Sequence, residues 1–203
     1  MPGTVGVIDR ALSPSVDERV VDAVLECVAR WGVAKTTVDD VARAAGVSRA
    51  TVYRAFPGGK EVALQAAVRR ELDRFFTEVG GVLAAAETLE DLLVVGASEA
   101  ASFLLGHDAL GTVLAHEPAL VLPACAFHRL DPALAAATAF VVPHLARFVA
   151  DDERAVAGAE WLVRVLLSYA LSPSPAVVLT DPDSVRRFVR TYAIPVLIPQ
   201  GAQ

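Results

Sequence analysis

The stretch that decides the fold is residues 37–56, TVDDVARAAGVSRATVYRAF. Thr37 followed three positions later by Asp40 is a capping box: the threonine oxygen accepts from a first-turn amide while the acid reaches back. Val38, Val41, Ala42 and Ala45 then make one short apolar stripe, and Gly46 can close it in the left-handed region at no steric cost. Ser48 can cap a second short helix that turns Val52 and Phe56 inward and leaves Arg49, Thr51, Tyr53 and Arg54 on the outer face. Pro57, Gly58 and Gly59 break that helix. Two short helices joined by a glycine turn, the second carrying cations and hydroxyls outward, form the pattern of a helix-turn-helix, which lays one helix in the DNA major groove.

Working upstream, Ser15 and Glu18 make another capping box. Val20, Val24, Cys27, Val28 and Trp31 fall at helical spacing on one face, and Gly32 is placed to end that helix. Residues 1–12 show no periodicity and read as a loose tail. Downstream, a long helical pattern starts at Lys60, runs through Val62, Leu64, Ala67, Val68, Leu72, Phe75, Phe76 and Val79, and is expected to stop at Gly80-Gly81. This sets the expected organisation: a tail over 1–12, a DNA-binding domain over 13–58 with the helix-turn-helix at 37–56, a connecting helix over 59–80, and a C-terminal domain over 81–203.

Every later periodic segment also reads as helix. The spacing predicts helices over 88–105, 108–115, 119–127, 132–150 with a kink at Pro143, 152–171, and 183–194 stopped near Pro195. A loop rich in Ser and Pro separates the last two. There is no internal repeat and no strand pattern beyond the short apolar run 177–179. The expected class is therefore all-α: an N-terminal three-helix helix-turn-helix domain followed by a larger helical domain, the part left to sense or dimerise.

Composition agrees. Hydrophobic residues are 54% of the 203 and charged residues 21%, which supplies a core and rules out a disordered chain. Aromatics are only 6%, and the dominance of Ala, Val and Leu suits packed helices better than a sandwich. A mean hydropathy of +0.47 raises the question of a membrane. No run of about 18 apolar residues survives, however. The nearest, 109–127, is interrupted by His116, Glu117, Pro118 and Pro123. The start of the chain lacks a basic, continuously apolar leader, and Cys27 and Cys125 form no CxxC pair. Both are expected as small buried hydrophobes in a reduced cytoplasm. The net charge of −6 is unevenly spread: residues 17–71 hold nine Lys/Arg against eight Asp/Glu, and residues 72–203 eight against fifteen. The acidity lies behind the motif, and phosphate binding depends on a local cationic face.

The chemistry of the motif follows from its residue types. Helix starts at Thr37 and Ser48 present backbone N–H groups to phosphates. Arg49 can meet a guanine edge with two hydrogen bonds, and Thr51 can touch a thymine methyl or a phosphate. Tyr53, Arg54 and Lys60 suit contacts to double-stranded DNA that position the protein without reading sequence.

Residues 17–64 resemble the DNA-binding domain of the tetracycline-repressor (TetR) family of transcriptional regulators. The matching residues are Thr36-Thr37-Val38, Asp40-Val41-Ala42, Ala45-Gly46-Val47-Ser48, Thr51-Val52-Tyr53-Arg54, Phe56 and Lys60, with Trp31-Gly32 at the end of the first helix. The resemblance implies that Thr37, Tyr53 and Lys60 hold phosphates and that Arg49 and Thr51 sit at base-reading positions. Ala63 stands where the family often has leucine. It further implies a homodimeric repressor that binds a palindromic operator and is released by a small effector. By the same resemblance the last two long helices, 152–171 and 183–194, are expected to pair with their copies in an effector-binding and dimerisation domain, so Trp161, Leu162, Val165, Leu166, Phe188 and Tyr192 become the candidate dimer seam. A two-fold dimer also follows from geometry, because one recognition helix reads too few bases and half-sites recur about 34–36 Å apart.

The four histidines lie in the middle of the chain. Neither HxxxH nor HExxH is present, so no metal and no cofactor is expected. Phe103, Phe127 and Phe140 can wall an apolar effector pocket, with His107, His116, His128 and His144 as its sparse polar groups. The weak polarity of this region points to an apolar or amphipathic effector. No GxSxG elbow, phosphate loop or dinucleotide fingerprint appears, so the chain is not expected to be an enzyme.

Overall fold

The computed structural model describes residues 14–117 and 131–198. The predicted helix over 119–127, and with it Cys125, Phe127 and His128, lies outside the described residues. The chain divides into two compact units, Met1–Glu71 and Leu72–Gln203. Among the described residues all regular structure is helical, apart from an isolated bridge between Ser174 and Val177.

In the first unit, α1 is Val16–Trp31, α2 Val38–Ala44 and α3 Arg49–Ala55. Both predicted capping boxes form: Ser15 with Glu18, and Thr37 with Asp40. Val20, Val24, Cys27 and Val28 of α1 are buried with Val41, Ala42, Ala45, Val52 and Phe56. Trp31 departs from the expected apolar face. It is 40% exposed, because α1 ends there, and the Arg30 guanidinium lies over its ring at 5.6 Å. Gly32 (φ 82°) and Gly46 (φ 65°) take the left-handed values that their turns need. Between α1 and α2 the buried Thr36 hydroxyl donates to the Gly32 carbonyl at 2.7 Å, which satisfies a polar group that water cannot reach. Ala63, the departure from the family pattern, is fully buried on the next helix.

That helix, α4, is Lys60–Ala85 and continues across the boundary at Glu71. It does not stop at Gly80-Gly81. Two mid-helix glycines cost about 1 kcal/mol each, but Val79 and Leu83 on either side are buried in the core of the second unit and hold the helix there. Gly80 also has a packing use: a Cβ at that position would lie 3.4 Å from the Phe140 ring.

The second unit continues with α5 Leu89–Leu105, α6 Asp108–His116, α7 Asp131–Leu145, α8 Asp152–Leu171 and α9 Pro182–Phe188. A π-helical turn over Val189–Ala193 follows, then α10 Ile194–Leu197. α7 packs on α8, and α5 packs on α6, α8 and α9. Pro143 sits inside α7, which ends at Leu145, short of the predicted 150. Pro195 does not end the last helix. A proline ring collides with the carbonyl four residues back in an α-helix. Here the preceding turn is wider, and Ile194 N–H reaches the carbonyl of Val189, five residues back. The fully buried side chains include Leu145 and Leu197, which meet over Gly158 of α8.

Candidate DNA-binding face and effector region

The helix-turn-helix is held from inside and bare outside. Val52 and Phe56 of α3 are buried, while Arg49, Tyr53 and Arg54 are exposed and Thr51 is half-buried. Ser48 caps α3 by accepting from Thr51 N–H at 3.1 Å, and its hydroxyl lies 2.9 Å from that of Thr51. Thr37 is engaged by its own helix: its oxygen accepts from Asp40 N–H at 3.2 Å and its hydroxyl donates to the Asp40 carboxylate. That hydroxyl, and then the Thr37 backbone N–H donating to Oδ2 at 3.1 Å, hold the Asp40 carboxyl below the usual carboxylate range.

Tyr53 is 46% exposed and lies against Gly59, where an added Cβ would come 2.8 Å from its ring. Lys60 is half-buried, with its Nζ donating to the Val33 carbonyl at 3.0 Å. That contact ties α4 to the segment after α1 and leaves two ammonium hydrogens. Arg49 is paired with Asp39 across the turn, with Nη1 donating to Oδ2 at 3.2 Å. Sequence reasoning gave no role to Asp39 and only that of a helix breaker to Gly59. Their only signal was position: a carboxylate in the first turn of α2, and the last glycine before α4.

In the second unit, four predicted pocket residues are brought into one aromatic series. His107 neighbours Phe103, Phe103 meets Phe75 at 5.2 Å, Phe75 meets Phe76 at 5.4 Å, Phe76 meets Phe140 at 4.8 Å, and Phe140 meets His144 at 5.7 Å. The two joining rings, Phe75 and Phe76, had appeared in the sequence only as part of the α4 stripe. Arg74 lies over Phe103 at 4.7 Å, a cation–π placement. His107 has a local task as well: its Nδ1 accepts from Leu110 N–H at 3.2 Å and caps α6. His116 is exposed at the end of α6. Burial, and then the nearby Arg147 charge, push the His144 imidazole below its ordinary range.

An open groove of about 650 Å³ lies elsewhere, between α7 and α8. Leu134, Ala135, Val142 and Val156 line it with the Glu160–Arg164 ion pair at 2.7 Å, and none of the predicted pocket residues is among its walls. Thr138 also lines it, and its buried Oγ1 has no hydrogen-bond partner.

The predicted dimer seam divides. Trp161, Leu162, Leu166 and Phe188 pack on the core of their own unit, Val165 is half-buried, and Tyr192 is 58% exposed. Among the described residues, no group of three or more His, Cys, Asp and Glu side chains could hold a metal ion. No helix among them is long and apolar enough to cross a membrane.

A bare, polar α3 braced by α1 and α2, ahead of a larger helical unit, defines a helix-turn-helix DNA-binding regulator. Residues 20–67 match the family described as bacterial regulatory proteins, tetR family.

Solved structures share the fold along most of the chain. The TetR family repressor AlkX from Dietzia sp. strain DQ12-45-1b, implicated in biodegradation of n-alkanes, is 22% identical with a TM-score of 0.61, covering 91% of this chain and 96% of that one. The fatty acid degradation regulator FadR from Bacillus halodurans is 17% identical, TM-score 0.59, covering 94% and 99%. The FadR of Bacillus subtilis, solved in complex with stearoyl-CoA, is 17% identical, TM-score 0.54, covering 89% and 97%. No curated protein matches the sequence.

Proposed function

We propose that this chain is a cytoplasmic, effector-responsive repressor that binds a palindromic operator as a homodimer and leaves it when an apolar or amphipathic effector binds. The observation that carries the reading is α3: its apolar residues are buried in the unit, and Arg49, Tyr53 and Arg54 are exposed. Arg49 and Thr51 read base edges, while Thr37, Ser48, Tyr53, Arg54 and Lys60 position the unit on phosphates.

The effector region is the aromatic series from Phe103 and His107 to Phe140 and His144, which offers apolar faces with two imidazoles at its ends. An acyl-chain ligand is favoured by that surface and by the stearoyl-CoA held by the Bacillus subtilis FadR. Phe75 and Phe76 lie on α4, the helix that runs on from the DNA-binding unit, so ligand contacts on these rings bear on that helix directly. Effector must bind the free and operator-bound geometries with different affinity, or no release follows. The dimer seam draws on the apolar side chains left exposed on the last helices, Tyr192 with Val156 and Val196.

Selection from a random duplex pool at low salt tests the reading. An enriched two-fold sequence is expected, with half-sites about one helical turn apart. Lys60→Ala should lower the salt slope of binding by about 0.9, one phosphate contact. Arg49→Ala should cost about 1–3 kcal/mol of discrimination at one position per half-site. Failure to enrich any sequence would sink the proposal. Mass spectrometry of small molecules carried through purification identifies the effector class.

A further inference from the structure

The α2–α3 turn places a carboxylate against the arginine assigned to base reading. Asp39 is the second residue of α2 and Arg49 the first of α3, and ten positions of chain separate them. Arg49 Nη1 donates to Asp39 Oδ2 at 3.2 Å, and Nε stands 3.1 Å from Oδ1. The pair is open to solvent, with side chains 60% and 53% exposed. Exposed pairs of this kind add little to folding stability. What the contact does is narrow the conformations of a long side chain. Of the five guanidinium N–H groups, one on Nη1 is given to Asp39 and the one on Nε stands beside its second oxygen. The two on Nη2 and the second on Nη1 have no other partner among the described residues, and that outer fork is the one that matches O6 and N7 of guanine.

We propose that Asp39 is a positioning residue for base readout, holding Arg49 in the posture from which its outer fork meets a guanine. The inference rests on the DNA-binding reading above. Asp39 touches no base. It acts by ordering Arg49 before the complex forms, so the entropy of immobilising that side chain is already lost in the free protein. It also carries a negative charge beside the DNA face, which weakens contact with any phosphate backbone. The two effects are separable, since ordering Arg49 changes discrimination at one base pair and charge changes affinity for every sequence equally.

The test uses the full chain and the operator recovered by selection, together with single-base variants of that operator. Four proteins are compared: wild type, Asp39→Ala, Arg49→Ala and the double variant. Asp39→Ala is expected to lower discrimination at the Arg49 base pair by about 2- to 10-fold, with discrimination elsewhere unchanged. The double variant is expected to discriminate no worse than Arg49→Ala alone. Asp39→Asn, which keeps the acceptor and loses the charge, should fall between wild type and Asp39→Ala.

Thermal melts of all variants should match wild type closely, separating this result from a folding defect. If Asp39→Ala binds all sequences more tightly and discriminates as wild type does, Asp39 is only a repelling charge and the proposal is overturned. If Arg49→Ala itself discriminates like wild type, the base-reading assignment beneath the proposal has failed instead, and the proposal falls with it.

Discussion

Gly59→Ala probes the seat of Tyr53, and Gly46→Ala is its internal control. Both glycines sit in the left-handed region, at φ 68° and 65°. An alanine there costs about 1–2 kcal/mol from backbone strain alone. At Gly46 nothing lies within 4 Å of the added Cβ, so strain is the whole effect. At Gly59 the Cβ would lie 2.8 Å from Tyr53 Cε1 and 3.4 Å from both Tyr53 Cζ and Val38 Cγ2. Tyr53 is nearly half exposed, so its ring moves aside rather than resisting, at about 0.5–1.5 kcal/mol of rotamer strain. The expected losses are therefore about 1–2 kcal/mol for Gly46→Ala and about 1.5–3.5 kcal/mol for Gly59→Ala. Denaturant titration measures both.

The same pair separates stability from function. A phenol hydroxyl bonded to a phosphate contributes about 1.5–3 kcal/mol, so displacing Tyr53 should weaken operator binding tenfold or more. Gly46→Ala should leave affinity nearly intact at temperatures where it is folded. Tyr53→Phe should reproduce the Gly59→Ala binding loss without its stability loss. Because the hydroxyl is neutral, the salt slope should not change, in contrast to Lys60→Ala. Equal stability losses and equal affinities for Gly46→Ala and Gly59→Ala would refute the idea that Gly59 seats Tyr53.

In the second unit, Gly158→Ala gains about 1 kcal/mol of helix propensity. Its Cβ, however, would meet Leu197 at 2.5 Å and Leu145 at 3.2 Å, both buried, so a net loss of stability is expected on melting and a gain would contradict the packing. Arg147 donates to the carbonyls of Leu83, Ala84 and Ala86 at the end of α4; Arg147→Ala should cost about 2–3 kcal/mol by leaving those acceptors uncovered, seen as a lower midpoint and faster amide exchange over α4's last turn. His144 has its proton affinity lowered by folding, so the unfolded chain binds the proton more readily and stability falls as pH drops through about 6.5. Between pH 7.5 and 5.5 the wild-type Tm should fall more than that of His144→Gln, and parallel curves would remove His144 from the account.

How much was legible depended on whether the cause was local. Capping boxes, the turn glycines and the 3.6-residue stripes act within a few residues, and so α1–α3, α5, α6 and α8 were readable with their ends close to place. The outward set of α3 was readable for the same reason, since periodicity alone tells Val52 and Phe56 from Arg49, Tyr53 and Arg54. Errors arose where a distant contact outweighed a local preference. Gly80-Gly81 and Pro195 are breakers by propensity, yet helix continues through both, held by core packing at Val79 and Leu83 and by the π turn before the proline.

The sequence by itself determined the class of this protein, because a helix-turn-helix is written in short-range spacing and in the residue types on one helix face. Only the tertiary structure decided which side chains act together. It paired Asp39 with Arg49, put Tyr53 on Gly59, joined Phe103 to Phe140 through Phe75 and Phe76, and drew Trp161, Leu162, Leu166 and Phe188 towards their own core. Those are contacts between elements, fixed by how helices cross and by which faces must leave water.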